Sequence, residues 1–314
     1  MAGIERVCIV GAGVIGSLYA AHLAQVVDVC VLTRRSDHTR ALNEDGLRVS
    51  GRHDFVATLA AAADPDELPG VDLAILATKA TDLEAAAARL QGRFPDAVVM
   101  TVQNGLGAEE LVRRYGDWPL VSAVTFMSGT RHADTHVEYV LDTETWLGPY
   151  GDTSQATVDV VAALLVRAGL KAKALADLRP AQWSKLIFNA TVNGVAALTG
   201  LPHDFHFAAR EGTYDLGHVV FGLVEEGKRV AAAAGISLHD DPWEMNVLAT
   251  QRGSAHYPSM LEDVEARRPT EVELINGALV REARRVGVET PLHDALYALV
   301  KGKELSYTRV AVAA

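Results

Sequence analysis

The sequence predicts an α/β fold: an N-terminal Rossmann-like, doubly wound sheet followed by a C-terminal all-helical domain. Three observations carry this. Short apolar runs that suit strands buried on both faces alternate with amphipathic stretches up to about residue 178. A glycine motif, Gly11-Ala12-Gly13-Val14-Ile15-Gly16, stands directly behind the first such run. Past Asp177-Leu178-Arg179-Pro180 the strand-like runs stop and helical periodicity takes over. Residues 1–178 are therefore expected to form a dinucleotide-binding domain, and residues 179–314 a helical substrate and catalytic domain.

Composition is consistent with that division. A chain of 314 residues is long for a single core, and 49% apolar content is ample for two. The formal net charge of −11 argues against a nucleic-acid surface. Cys8 and Cys30 are the only cysteines, both in apolar runs, and read as buried thiols of a reducing compartment. No signal peptide is expected before the first strand, and no apolar run is long enough to span a bilayer, so a soluble, cytoplasmic protein is expected. A homodimer stays open as an assembly state.

Taken in order, Arg6–Val10 reads as a buried strand, and an amphipathic helix runs through Leu18, Ala21, Leu23 and Ala24. Asp28–Leu32 reads as the second strand. A glycine motif between a strand and a helix is the context in which it binds a dinucleotide. Gly11 permits a tight turn, Gly13 lets backbone approach a pyrophosphate, and Gly16 lets the helix pack closely. Ala12, Val14 and Ile15 bring backbone N–H groups to the positive end of the helix. The second strand ends in Thr33-Arg34-Arg35, with no acid until Asp37. A site for NAD usually has a carboxylate here, whereas a guanidinium matches a 2′-phosphate. NADPH is therefore expected over NADH, with Arg34 or Arg35 on the phosphate.

Leu47–Ser50 and His53–Ala57 flank Gly51-Arg52 as a hairpin. Val71–Ala77 is the next buried strand. It ends at Thr78-Lys79-Ala80, with Asp82 as a cap for the following helix. Lys79 thus stands at the carboxyl edge of the sheet, where doubly wound folds bind ligands. Val98–Thr101 leads into Gln103-Asn104-Gly105-Leu106-Gly107 at the same edge, and Leu120–Phe126 follows as a strand. Val137–Val140 and Thr145–Leu147 read as antiparallel additions to the sheet. His132 and His136 lack matched ligands and read as structural, so no metal is expected. A helix from Asp152 or Thr153 through Leu165 and a strand over Leu170–Leu175 complete this half. Ala60–Ala63 and Ala85–Ala88 read as helix packing surfaces.

The second half predicts helices over 181–199, 212–234, 242–251, 270–286 and 292–303. Thr270 and Glu273 match a capping box, with Glu271 in the first turn. The first of these helices carries Lys185, Asn189 and Asn193 at i, i+4 and i+8, on one face. A solvated face with an ordinary surface lysine is the competing reading. The paired asparagines weigh against it, because Asn is a poor interior helix residue. An ammonium and two carboxamides in a row suit a small anionic or carbonyl substrate.

Together these segments resemble the ketopantoate reductase (2-dehydropantoate 2-reductase) family over nearly the whole chain. The glycine motif, Ala77-Thr78-Lys79 and Gln103-Asn104-Gly105 contribute. The more diagnostic parts are Lys185-x3-Asn189-x3-Asn193, Pro258-Ser259-Met260-Leu261-Glu262-Asp263-Val264, Pro269-Thr270-Glu271 and Ile275-Asn276-Gly277. The resemblance implies NADPH-dependent reduction of ketopantoate by hydride transfer in a cleft between the two domains. It implies Lys185 as general acid and substrate ligand, with Glu271 at the same catalytic site. It implies Asn189, Asn193 and Ser259 as substrate ligands, Asn104 touching cofactor and substrate, and Arg34 and Lys79 at the phosphate end of NADPH. His203 and His256 stand where the family pattern leads one to expect asparagines. If they line the pocket, another 2-oxo acid becomes the substrate. A reductase of a different 2-oxo acid or of an imine, and a non-catalytic NADP-binding sensor, are the alternatives.

Overall fold

The computed structural model describes residues 3–251 and 257–308. The chain divides into two compact units. One comprises residues up to Gln103 together with Ala108–Leu178; the other comprises Asn104–Gly107 and the chain from Arg179 onward.

The first unit runs β1 (Arg6–Val10), α1 (Val14–Leu23), β2 (Asp28–Leu32), α2 (Ser36–Asp45), β3 (Leu47–Gly51), β4 (Phe55–Ala57), β5 (Ala60–Ala62), β6 (Leu73–Leu76), α3 (Ala80–Leu90), β7 (Val98–Thr101), α4 (Ala108–Val112), β8 (Leu120–Thr125), β9 (Ser128–Ala133), β10 (His136–Leu141), β11 (Thr145–Tyr150), α5 (Gln155–Arg167) and β12 (Ala172–Ala174). Eight strands form the main sheet in the order β12-β11-β8-β7-β6-β1-β2-β5. The run from β8 to β5 is parallel, and β11 pairs antiparallel to β8. The chain order reverses between β1 and β6, so the glycine loop after β1 emerges at the switch point where doubly wound sheets bind ligands. The central strands are buried on both faces, as their continuous apolar runs require: Val7, Cys8 and Ile9 of β1 have 0% exposure. Cys8 and Cys30 are free thiols at matched positions of β1 and β2.

Four further strands form a second sheet, β4-β3-β10-β9, which packs over α1. This explains why α1 is apolar nearly all round: a helix with core on both sides has no solvent face to make polar. Three expectations are corrected here. Residues 137–140 do not extend the main sheet but lie in the second one, parallel to β3. Ala60–Ala62 is not a helix surface but the parallel edge strand β5. Three small residues carry no periodicity that would distinguish the two readings. Asp82 is not the cap of α3: Lys79 holds that position, and Asp82 sits in the first turn. The outer edge of β5 is closed by a side chain. Asn43 of α2 donates to the Ala61 carbonyl at 2.9 Å and accepts from the Ala61 N–H at 2.8 Å.

The second unit contains α6 (Arg179–Thr199), α7 (Leu216–Ala233), α8 (Pro242–Thr250), α9 (Ser259–Glu265), α10 (Asn276–Val286) and α11 (Pro291–Leu305). Helix α6 is its axis and packs against each of the other five. Leu186, Ile187, Ala190 and Ala196 are buried around its circumference, consistent with a helix enclosed by others. Asn276, with 0% exposure, donates to the Ala190 carbonyl at 2.7 Å and ties the start of α10 to α6. Buried Glu226 of α7 accepts from the N–H groups of Leu292 and His293, satisfying donors that the first turn of α11 leaves unpaired. The predicted capping box is corrected. The helix starts at Asn276, after a turn over residues 272–275. Thr270 is claimed instead by Glu304, which accepts from both its N–H and its hydroxyl, and Glu273 accepts from Tyr297. The Thr270 hydroxyl also accepts from the Val272 N–H at 3.2 Å, so a local turn persists beside the tertiary partner although no helix starts there.

Candidate active site

In the first unit, sequence and geometry agree on a phosphate cradle. Gly11 has φ +100°, and a Cβ there would meet Thr78 at 2.8 Å, so only glycine allows the turn against the end of β6. Gly16 faces the Gly11 carbonyl so closely that a Cβ would lie 2.0 Å from it. That contact holds the first turn of α1 directly against the loop. A Cβ on Gly13 would meet nothing within 4 Å. The space beside Gly13 is therefore open, as a backbone approached by a pyrophosphate requires. Gly13 is also the N-cap residue of α1, so the N–H groups of Val14, Ile15 and Gly16 are among those the helix leaves unpaired. The hydroxyl of Thr78 is buried with no hydrogen-bond partner near this loop. Loop, helix end and orphaned hydroxyl fit a dinucleotide.

At the end of β2 the two arginines differ. Arg35 is held by Asp134 and lies 3.6 Å from Asp37. Arg34 is the more exposed, at 72%, and its Nη1 donates to Asp82 Oδ1 at 2.7 Å. Asp82 is a neighbour the sequence reading missed: it is 48 residues from Arg34. Lys79 is exposed at the cap position of α3. Gln103 is structural, its carboxamide donating to the carbonyls of Leu76 and Thr78 at 2.7 and 3.0 Å. It fixes the strand end that backs the glycine loop.

In the second unit the polar face of α6 is not solvated. Asn189 and Asn193 are 8% and 6% exposed, and Lys185 is mostly buried. Burial pushes the Lys185 ammonium down to about 8, while the charge of Glu271 acts in the opposite direction. Glu271 is itself buried and accepts from Asn104 Nδ2 at 3.0 Å. Asn104 reaches it because Gly105 lies against the Leu274 carbonyl with φ +95°, and Leu106 N–H donates to that same carbonyl at 3.0 Å. Lys185, Glu271 and Asn104, drawn from three separate stretches, are thus coupled. Ser259 opens α9, which packs on α6.

His203 does not present an open face to a ligand. It is 1% exposed, bonded through Nε2 to Asn246 Oδ1 at 2.8 Å, and set edge-on to Phe188 and Phe207. His256 lies outside the described residues. His132 and His136 are held by Glu138 and Ser50, each at 2.8 Å. Among the described residues no three His, Cys, Asp or Glu side chains group as a metal site would need. No described helix is long and apolar enough to cross a membrane.

Residues 7–152 match the family model for ketopantoate reductase PanE/ApbA, and residues 177–304 match that for its C-terminal part. The 2-dehydropantoate 2-reductase of Pyrococcus horikoshii is 30% identical over 300 residues, spanning 95% of this chain and 97% of that one. The chain belongs to the ketopantoate reductase family. A solved PanE/ApbA family ketopantoate reductase from Ralstonia eutropha superposes with a TM-score of 0.87 at 27% identity, covering 97% of this chain and all of that one. D-mandelate dehydrogenase, solved with NADH and anilino(oxo)acetate, superposes with a TM-score of 0.88 at 26% identity over the same shares. As a ketopantoate reductase family member the chain is an oxidoreductase, and its first unit is an NAD(P)-binding Rossmann-like fold. The family resemblance and the fold class expected from sequence are both borne out.

Proposed function

We propose that the protein reduces ketopantoate to pantoate with NADPH, and that Lys185 is its general acid. The observation that carries the reading is the mostly buried Lys185, on one face of α6 with buried Asn189 and Asn193. Burial pushes its ammonium down to about 8, opposed in part by the charge of Glu271, which Asn104 holds. A proton donor works best with a pKa close to the operating pH. The glycine loop and the start of α1, through Gly11, Ala12, Gly13, Val14, Ile15 and Gly16, would hold the pyrophosphate, with Arg34 and Lys79 toward the 2′-phosphate. When bound, the reduced nicotinamide supplies a hydride to the substrate's carbonyl carbon. The Lys185 ammonium stabilises the developing alkoxide and transfers its proton to that oxygen. Asn189, Asn193 and Ser259 hydrogen-bond the carboxylate and hydroxyl of the substrate. Glu271 balances the lysine charge and orients Asn104, which contacts cofactor and substrate.

An assay panel with NADPH tests the substrate. Ketopantoate should exceed 2-oxoisovalerate, which lacks the hydroxymethyl group, by roughly 10²-fold or more in kcat/KM, because a site built to bond a hydroxyl is left with unpaired polar groups without it. Comparable turnover of the two would defeat the hydroxyl-recognition argument. The likeness to D-mandelate dehydrogenase favours a second reading, a bulkier 2-oxo acid, so an aromatic 2-oxo acid and a 2-oxo diacid complete the panel. No turnover of any of the four would end the 2-oxo acid reading.

The cofactor is tested by binding. NADPH should bind more tightly than NADH by roughly 1.5–3 kcal/mol if one charge-assisted phosphate contact forms. Arg34→Ala should remove most of that gap and leave NADH affinity nearly unchanged. Equal affinity of the unaltered protein for the two cofactors would sink the preference.

A further inference from the structure

We infer that Asp82 sets the cofactor selectivity of this protein by competing with the 2′-phosphate of NADPH for Arg34. The inference rests on the reading above that Arg34 faces that phosphate. The end of β2 is the place where sites for NAD usually carry an acid, and here its own residues are Thr33, Arg34 and Arg35. By sequence alone the position is purely cationic. The fold changes its charge by bringing a carboxylate in from α3. Asp82 lies in the first turn of that helix and accepts from Arg34 Nη1 at 2.7 Å. One arm of the guanidinium fork is therefore already committed. Arg35 is paired too, held by Asp134 with Asp37 beside it.

A 2′-phosphate placed on Arg34 would either displace Asp82 or share the guanidinium with it. In either case a phosphate carrying most of two negative charges meets a carboxylate at a few ångströms, with solvent screening only part of the repulsion. The diol of NADH carries no charge and experiences no such opposition. Asp82 thus narrows, without abolishing, the preference for NADPH that Arg34 creates.

The test is calorimetric binding of NADP+ and NAD+, without turnover, to the full-length protein and to Asp82→Asn, Arg34→Ala and the double variant. The Asn side chain keeps the size of Asp and one acceptor oxygen while removing the charge, in a partly exposed first turn, and thermal melting checks that the fold is kept. Asp82→Asn should tighten NADP+ by about five- to ten-fold, with NAD+ changed less than about two-fold. In the Arg34→Ala background the same substitution should give about half that gain or less, since the guanidinium being contested is gone. Suppose Arg34→Ala weakens NADP+ but Asp82→Asn leaves it unchanged or weaker. Then the carboxylate orients the arginine or is a bystander, and the inference is overturned while the reading of Arg34 stands. If Arg34→Ala itself leaves NADP+ affinity unchanged, the reading of Arg34 fails and the inference falls with it.

Discussion

Lys185→Ala should lower kcat by roughly 10²–10⁴, which corresponds to about 3–5 kcal/mol of transition-state stabilisation, with cofactor affinity little changed. The prediction has a pH signature whose sign follows from burial. Lys185 loses its proton near 8 in the folded protein, against an ordinary value of 10.5. Reduction needs the ammonium, so kcat should hold below about 8 and fall as pH rises through it. The same shift acts on stability in the opposite sense. Between about 8 and 10.5 the unfolded chain keeps a proton that the folded chain has shed, so this group's contribution to stability rises with pH across that window. Activity and this part of stability should therefore move apart over one interval, which general alkaline unfolding would not produce. Lys185→Met keeps an apolar stem in the buried position. It should melt no lower than the unaltered protein at neutral pH while losing turnover as the alanine variant does. Near-normal kcat in either variant, or a kcat profile flat from pH 7 to 9.5, would remove Lys185 as the acid.

Gly105→Ala should damage the site from outside it. A Cβ at this position would lie 1.8 Å from the Leu274 carbonyl, and the backbone has φ +95°, which side chains disfavour. The segment 104–107 must lift away, which breaks the Leu106 to Leu274 hydrogen bond and draws Asn104 from Glu271. Backbone strain and the lost bond together amount to roughly 2–4 kcal/mol of stability. Displacement of a positioning group by about 1 Å can cost about 10²-fold in kcat/KM. Denaturant unfolding and steady-state kinetics read the two effects separately. Asn104→Ala, which leaves the backbone in place, should reproduce the kinetic loss with little of the instability. Full activity in Gly105→Ala would show that this loop has no part in the chemistry.

How much of this was legible beforehand depended on whether a feature was local. The buried strands announced themselves because Val7–Val10 and Leu73–Leu76 are apolar without interruption, and the cradle did so because Gly11, Gly13 and Gly16 each serve a steric need within six residues. The stripe of Lys185, Asn189 and Asn193 was readable as one helix face; that this face is buried was not, since burial depends on five other helices. The second sheet was partly hidden. Its hairpin of β3 and β4 was visible, but β9 reads as Ser-Gly-Thr-Arg-His-Ala, polar and mostly exposed, with no alternation to mark it. The couplings Arg34 to Asp82, Asn104 to Glu271 and Thr270 to Glu304 join residues at least 34 apart. No spacing rule could have paired them, and the last engages the threonine that local pattern had assigned to a helix cap.

The clasp of Asn43 on Ala61 bears on how this protein behaves when concentrated. A parallel sheet ending in a short edge strand leaves the N–H and C=O of one residue of β5, Ala61, facing outward, where a strand from another molecule could dock and extend the ladder. The Asn43 carboxamide is chemically a peptide unit without a chain behind it. By presenting its own donor and acceptor to Ala61 it acts as the ninth strand in miniature, one that cannot itself be added to. Growth of the sheet between molecules would first have to evict it. A single side chain on α2 thus caps the far margin of the sheet from β12, without contributing to the hydrophobic core.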